Sequence, residues 1–212
     1  MDYLAQINEA KAFLKAEGII APTIGVILGT GLGQFVNHID IEITIPYTDI
    51  PHFSEATVES HSGRLIYGSI NNTKVLAMQG RFHYYEGWTM EQTIFPVRVM
   101  KYLGVEKLIV SNASGGVNPA FKVGDIMIIT DHINLMPEHP LHGKNDERFG
   151  PRFVDMHEAY SKVEIKKMEG IAQKLNIPVH KGVYLGLQGP TFETPAEYKM
   201  VKIFARSLAK YY

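Results

Sequence analysis

The stretch IGVILGTGLG at residues 24–33 predicts a buried β-strand that runs directly into a tight turn. Its first five residues form an apolar run of strand length, which ends at Gly29, Gly31 and Gly33. Glycines let the backbone turn sharply while its amides stay open to a ligand, and such amides can bind an anion. A tight turn without any ligand explains the same residues. The stretch alone therefore predicts the strand and leaves the anion site open.

Strand and helix patterns alternate along the rest of the chain. Apolar residues at helical spacing predict a first helix ending at Gly18, and Thr89 with Gln92 forms a capping box for a helix ending at Gly104. Later helices are predicted around residues 168–175 and from Thr194 onward. Further strands are predicted at residues 41–45, 64–70, 74–78, 108–110, 126–130 and 179–187, and that at 108–110 is expected to be buried. The alternation predicts one α/β domain over residues 1–212.

Composition excludes several classes of protein. The 212 residues carry 21 Lys+Arg and 22 Asp+Glu, a formal net charge of −1, so no global basic field favours nucleic acid. The absence of cysteine excludes disulfides, thiolate metal sites and a cysteine nucleophile. Charged residues from Asp2 to Lys15 interrupt any apolar run long enough for a signal peptide or membrane span. We expect a cytoplasmic protein that binds neither nucleic acid nor membrane.

Several common catalytic motifs do not occur in the sequence. Gln34 stands where a dinucleotide-binding fingerprint needs its third glycine, and no Gly-Lys-Ser/Thr sequence forms a P-loop. No Gly-x-Ser-x-Gly elbow supports a serine triad. His139 and His142 lack the spacing and carboxylate partners of a zinc site, so no metal is predicted.

The segment GRFHYYEG at residues 80–87 is the best candidate for anion binding. Arg81 offers a planar fork that can bind two phosphate oxygens at once, and His83 lies two residues further along, on the same side of an extended chain. His61 and Arg64 could add positive charge from a preceding loop. The alternative is that Arg81 is a surface cation, His61 an exposed loop histidine, and the aromatic residues part of the core.

Two other segments could face a ligand. SNASGG at residues 111–116 follows a predicted strand, where backbone amides can meet a ligand at the carboxyl end of a sheet. Phe192 could stack on a flat heterocycle while Glu193 accepts its N–H groups. The alternatives are a plain turn for the first segment and, for Glu193, an ordinary charge near a helix N-terminus.

Taken together in this order, these segments resemble the trimeric purine nucleoside phosphorylase family, and the match extends to about Phe204. The resemblance implies an α/β fold with a mixed β-sheet flanked by helices, assembled as a homotrimer. It implies phosphorolysis of purine nucleosides to free base and pentose 1-phosphate in purine salvage, with inorganic phosphate as co-substrate and no cofactor. The segments that carry it are LGTGLG (28–33), HSGR (61–64), QGRFHYYEG (79–87), SNASGG (111–116), NDERFG (145–150) and GPTFET (189–194).

The resemblance also implies roles for individual residues. The phosphate site would comprise the side chains of four residues and one backbone amide, namely Thr30, His61, Arg81, His83 and the amide of Ala113. The nucleoside site would comprise Tyr85, Asn112, Phe153, Phe192 and Glu193. Phe153 would reach into the sugar site of a neighbouring subunit. Glu193 would bind N1–H of a 6-oxopurine, and Glu193 and His83 are the expected catalytic residues.

After Phe204 the sequence departs from the family pattern and ends at Tyr212, so a C-terminally truncated member is expected. Such a chain lacks a further phosphate-contacting serine, an asparagine that donates to purine N7, and a histidine near the ribose 5′-hydroxyl. One alternative is therefore an inactive or impaired remnant that binds phosphate or purine. A second is a 5′-methylthioadenosine phosphorylase, which prefers a 6-amino purine, whereas Glu193 after Phe192 favours 6-oxopurines.

Overall fold

The computed structural model describes residues 2–54 and 63–208 of the chain. Contacts divide the chain into two compact units, residues 1–114 and residues 115–212. The described strands form two separate sheets, one of five strands and one of two. The single domain expected from the sequence stays a prediction.

The first unit holds a mixed sheet, as the resemblance implied. Every strand predicted in this unit is present. The strands are β1 (Ile24–Leu28), β2 (Asp40–Pro46), β3 (Arg64–Ile70), β4 (Thr73–Gln79) and β5 (Lys107–Val110). Strand β1 is parallel to both of its neighbours, β4 and β5, whereas β2 pairs antiparallel with β3 and β3 with β4. The order across the sheet is β2-β3-β4-β1-β5.

A two-residue turn joins β3 to β4. Asn71 and Asn72 have φ values of +47° and +64°, the left-handed conformation that asparagine tolerates better than most residues. Two such residues between antiparallel strands match the twist of a hairpin. The register that follows pairs Ile66 with Ala77, and both side chains are fully buried. The predicted hairpin is confirmed, and it forms the centre of the core.

Two helices flank this sheet, α1 (Tyr3–Ala16) and α2 (Met90–Leu103), and they contact one another. Helix α1 buries Ile7 and Leu14 completely. Helix α2 begins with the expected capping box. The Thr89 hydroxyl accepts the Gln92 amide at 3.2 Å, and the Gln92 side chain accepts the Thr89 amide at 2.9 Å. The helix continues through the buried Pro96 to the left-handed Gly104.

The structure corrects the expected burial of β5. Leu108, Ile109 and Val110 are 41%, 52% and 54% exposed. Successive residues of a strand point to opposite faces of the sheet, so both faces of β5 are open to solvent. The reason is the position of β5 in the sheet. Among the described strands, β5 is hydrogen-bonded only to β1, so β5 is an edge strand.

The second unit contains a two-stranded parallel sheet and two helices. These are β6 (Ile126–Asn134), β7 (Val179–Gly186), α3 (Lys162–Lys174) and α4 (Pro195–Leu208). Strand β6 runs four residues beyond the predicted end at Thr130. Helix α4 starts as predicted, since the Thr194 hydroxyl accepts the Glu197 amide at 3.3 Å. None of the helices in the described part of the chain is long and apolar enough to cross a membrane.

Candidate functional site

The candidate site of the first unit lies where three parallel strands end. Leu28 of β1 lies beside Gln79, the last residue of β4, and Ile27 lies beside Val110, the last residue of β5. The three segments singled out in the sequence therefore leave the sheet next to one another. Ligands in α/β sheets bind outside the carboxyl ends of the strands, so this edge is the expected place for a site.

The glycine loop (residues 29–33) passes unusually close to the end of β5. A Cβ atom at Gly29 would lie 2.4 Å from the Ser111 carbonyl oxygen and 2.6 Å from Cα of Asn112. No side chain fits at that distance, so the position requires glycine. The close approach lets the Gly29 amide donate to the Ser111 hydroxyl at 3.0 Å. Thr30, the next residue, is exposed at the surface of the loop.

Arg81 and His83 lie together, as the sequence predicted. Nε of Arg81 donates to Nε2 of His83 at 3.1 Å, and its Nη1 donates to the Ser111 carbonyl at 2.9 Å. Ser111 therefore contacts both the guanidinium and the glycine loop. This juxtaposition places a fixed cation, an imidazole and loop amides at one edge of the sheet, and such groups bind tetrahedral oxyanions.

Glu86 orients His83, a role that the sequence motifs did not indicate. A Glu86 carboxylate oxygen lies 2.5 Å from Nδ1 of His83 and accepts the His83 backbone amide at 2.9 Å. The carboxylate side chain is only 4% exposed. Since Nε2 accepts a hydrogen bond from Arg81, the ring proton is on Nδ1 and is donated to Glu86. The spacing His83-x-x-Glu86 is that of a capping box, and it could have revealed the pair.

Two buried side chains near Arg81, Tyr47 and Gln79, bind groups that are distant along the chain. The Tyr47 hydroxyl donates to the Gly80 carbonyl at 2.8 Å, and burial raises the pKa of that hydroxyl above its ordinary value, so it stays neutral. Gln79 donates to the Gly33 carbonyl at 2.9 Å and accepts from Nε of Arg64 at 2.6 Å. Neither Tyr47 nor Gln79 was singled out from the sequence, because both act through partners distant along the chain.

The other residues of the first unit that were expected to bind phosphate or nucleoside differ in their exposure and contacts. Tyr85 is 47% exposed, and its ring stacks on His83 with 4.8 Å between the ring centres. Asn112 and Ala113 follow Ser111, and the Ala113 residue is exposed. His61, expected in the phosphate site, lies outside the described residues.

The expected base-binding and intersubunit residues lie in the second unit. Phe153 and Phe192 are 89% and 91% exposed, so neither is a core residue. Glu193 follows Phe192 directly, and its hydrogen bond with Tyr198 raises the pKa of that tyrosine. Within residues 2–54 and 63–208, no group of three or more His, Asp or Glu side chains is arranged to hold a metal ion.

Comparison with known proteins shows which family the chain is similar to. A family model described as the phosphorylase superfamily matches residues 23–209. Purine nucleoside phosphorylase 1 of Bacillus subtilis is 52% identical over 93% of this chain and 73% of its own length. The bovine purine nucleoside phosphorylase is 46% identical over 85% of this chain and 64% of its own length.

Solved structures give the same result. Isoform 2 of the Schistosoma mansoni purine nucleoside phosphorylase, in complex with cytosine and ribose-1-phosphate, has a TM-score of 0.89 and 39% identity, covering 95% of this chain and 72% of that one. A Schistosoma mansoni purine nucleoside phosphorylase in complex with adenosine has a TM-score of 0.90 and 41% identity, covering 95% and 73%. This chain spans about three quarters of the length of the two parasite structures.

Proposed function

Because the chain belongs to the phosphorylase superfamily, we propose that it is a purine nucleoside phosphorylase. This activity is a pentosyl transfer from a purine to inorganic phosphate, and it yields free base and ribose or deoxyribose 1-phosphate. The observation that carries the proposal is the contact of Arg81 with both His83 and Ser111, beside the glycine loop. A phosphate bound at that edge meets a cation, an imidazole and backbone amides.

The reaction makes charge that these groups can stabilise. The C1′–N9 bond breaks, its electron pair goes to the purine, and positive charge builds on the sugar. An oxygen of the phosphate then forms the new bond to C1′. Phosphate held by Arg81, His83, Thr30, the Ala113 amide and, as the resemblance implies, His61 acts both as counter-charge and as nucleophile. Binding phosphate in an attacking position lowers the barrier without any cofactor.

Glu86 and Arg81 fix the orientation of His83. Nδ1 of His83 is held by the Glu86 carboxylate, so Nε2 is the ring nitrogen that faces Arg81. Nε2 accepts a hydrogen bond from Nε of Arg81 at 3.1 Å, which holds the guanidinium beside the ring. A phosphate that binds this guanidinium lies next to His83, and the fixed orientation of the two side chains lowers the reorganisation that the reaction needs.

The base and sugar would be bound by the residues of the resemblance. Phe192 stacks on the purine, Glu193 accepts N1–H and stabilises the departing base, and Tyr85 and Asn112 border the sugar. The free exposure of Phe192 supports this role, because an aromatic side chain 91% exposed gains contact area from a bound base. The Schistosoma mansoni complex with ribose-1-phosphate supports a sugar phosphate product.

A homotrimer is part of the proposal. Phe153 is 89% exposed, which suits a side chain that completes the sugar site of a neighbouring subunit. The proposed role of the enzyme is purine salvage in the cytoplasm. The reaction fits that role because it consumes inorganic phosphate and returns the free purine base.

The function is tested by phosphate-dependent release of hypoxanthine from inosine. We expect the purified protein to release hypoxanthine and ribose 1-phosphate in equal amounts, and only when phosphate is present. A folded protein that releases no hypoxanthine would instead be a binding remnant. Parallel assays with 5′-methylthioadenosine address the remaining alternative, since faster cleavage of that substrate than of inosine would contradict the proposed base preference.

A further inference from the structure

The glycine loop is held at both of its ends by side chains from the two strands beside it. At the first end, the Gly29 amide donates to the hydroxyl of Ser111, which follows β5. At the second end, the Gly33 carbonyl accepts from the side-chain amide of Gln79, the last residue of β4. The distances are 3.0 and 2.9 Å, those of ordinary hydrogen bonds.

Ser111 links the loop to the guanidinium. Its hydroxyl accepts from Gly29 and donates to the Ile27 carbonyl at 3.2 Å, so its orientation is fixed on both sides. The Ser111 backbone amide also donates to Ile27, at 3.0 Å, and the Ser111 carbonyl accepts from Arg81. One residue thus sets the distance between the start of the loop and Arg81.

Gln79 links the loop to a second cation. It is 9% exposed, and both polar atoms of its side chain have partners. While Nε2 donates to Gly33, Oε1 accepts from Nε of Arg64 at 2.6 Å. Arg64 follows the segment that contains the expected phosphate ligand His61.

The loop needs such restraints. Gly31, at its centre, has φ +84°, and a Cβ atom there would meet nothing within 4 Å. A glycine-rich segment loses more backbone entropy than any other when it becomes ordered, so an unrestrained loop binds a ligand weakly. Restraints formed before binding remove that cost from the binding step.

We propose that Ser111 and Gln79 are positioning residues, which hold the glycine loop in the shape that binds phosphate. The inference rests on the proposed function, and it adds two residues that act through the loop without touching substrate. Their loss should weaken phosphate binding while nucleoside binding is retained, because the base and sugar contact other residues.

Three variants separate the two hydrogen bonds. Ser111→Ala removes the acceptor of the Gly29 amide, and Ser111→Thr keeps a hydroxyl and serves as the matched control. Gln79→Glu removes the donor to Gly33 but keeps the acceptor for Arg64. We expect KM for phosphate to rise about tenfold in Ser111→Ala and Gln79→Glu, the effect of one lost hydrogen bond, while KM for inosine changes less than about twofold. Ser111→Thr should restore most of the loss.

Hydrogen exchange of the free protein is a second readout that needs no activity. Amides of residues 29–34 should exchange several-fold faster in Ser111→Ala and Gln79→Glu, while amides of α2 keep their wild-type rates. Unchanged exchange in the loop overturns the inference whatever the activity. Faster exchange with an unchanged KM for phosphate also overturns it. A wild-type protein that performs no phosphorolysis contradicts the proposed function, and exchange then still decides whether these side chains hold the loop.

Discussion

At the scale of single residues, the structure adds partners that local sequence cannot reveal. The motifs predicted Arg81 and His83 together, because they are two residues apart on an extended segment. Ser111 and Gln79 contact the glycine loop across 82 and 46 residues of chain, and no periodicity or spacing encodes such pairs. Glu86 was visible in the motif, yet its role depends on burial beside His83, which only the folded structure gives.

Gly29 gives a prediction about stability at this scale. We expect Gly29→Ala to lower the free energy of unfolding by about 1–3 kcal/mol, because the new Cβ would lie 2.4 Å from the backbone of Ser111. Gly170→Ala is the matched control, since a Cβ there meets nothing and helix α3 favours alanine by about 1 kcal/mol. Denaturant unfolding of both variants checks the prediction. Equal effects in the two variants would contradict it.

At the scale of elements, the sequence predicted the existence and type of strands and helices well. Apolar runs bounded by glycine or asparagine marked β1 and the hairpin of β3 and β4, and Thr89 marked the start of α2. Burial was harder to predict. The sequence KLIV of β5 has the apolar character of a central parallel strand, but its exposure depends on which strand lies beside it, and that information is outside β5.

The exposed edge of β5 gives a prediction at the element scale. Ile109 is 52% exposed on a strand that lies at the edge of the described sheet, and exposed apolar edge strands promote association between chains. We expect Ile109→Lys to reduce concentration-dependent aggregation, measured by light scattering on heating. Ile20→Lys adds the same charge at a residue 68% exposed outside any strand, and it should have little effect. Equal protection by both variants would show that charge alone is responsible.

At the scale of the whole molecule, the chain is a member of the phosphorylase superfamily. Family membership follows from the match of residues 23–209 and from 52% identity with a bacterial relative. The residues expected to bind the base and the neighbouring sugar lie in the second unit, and the phosphate residues lie in the first. The roles of these residues stay predictions.

Phe153 tests the proposed assembly. We expect Phe153→Ala to leave a trimer in sedimentation and to raise KM for inosine about tenfold, because the variant loses an apolar contact with the sugar in a neighbouring subunit. KM for phosphate should not change. Val123→Ala, at another fully exposed apolar residue of the same unit, is the control and should behave as wild type. A Phe153→Ala protein with normal KM for inosine would contradict the intersubunit role.

The most direct test of the proposed phosphate site is the KM for phosphate of Arg81→Ala compared with Arg98→Ala. Arg98 lies over the Tyr3 ring at 5.0 Å, so its removal deletes the same charge outside the site. Charge-assisted hydrogen bonds contribute about 1.5–3 kcal/mol each, and Arg81 can donate two to one phosphate. We predict a rise in KM for phosphate of about a hundredfold or more in Arg81→Ala and a near-normal value in Arg98→Ala. An unchanged KM for phosphate in Arg81→Ala would contradict a phosphate site at Arg81.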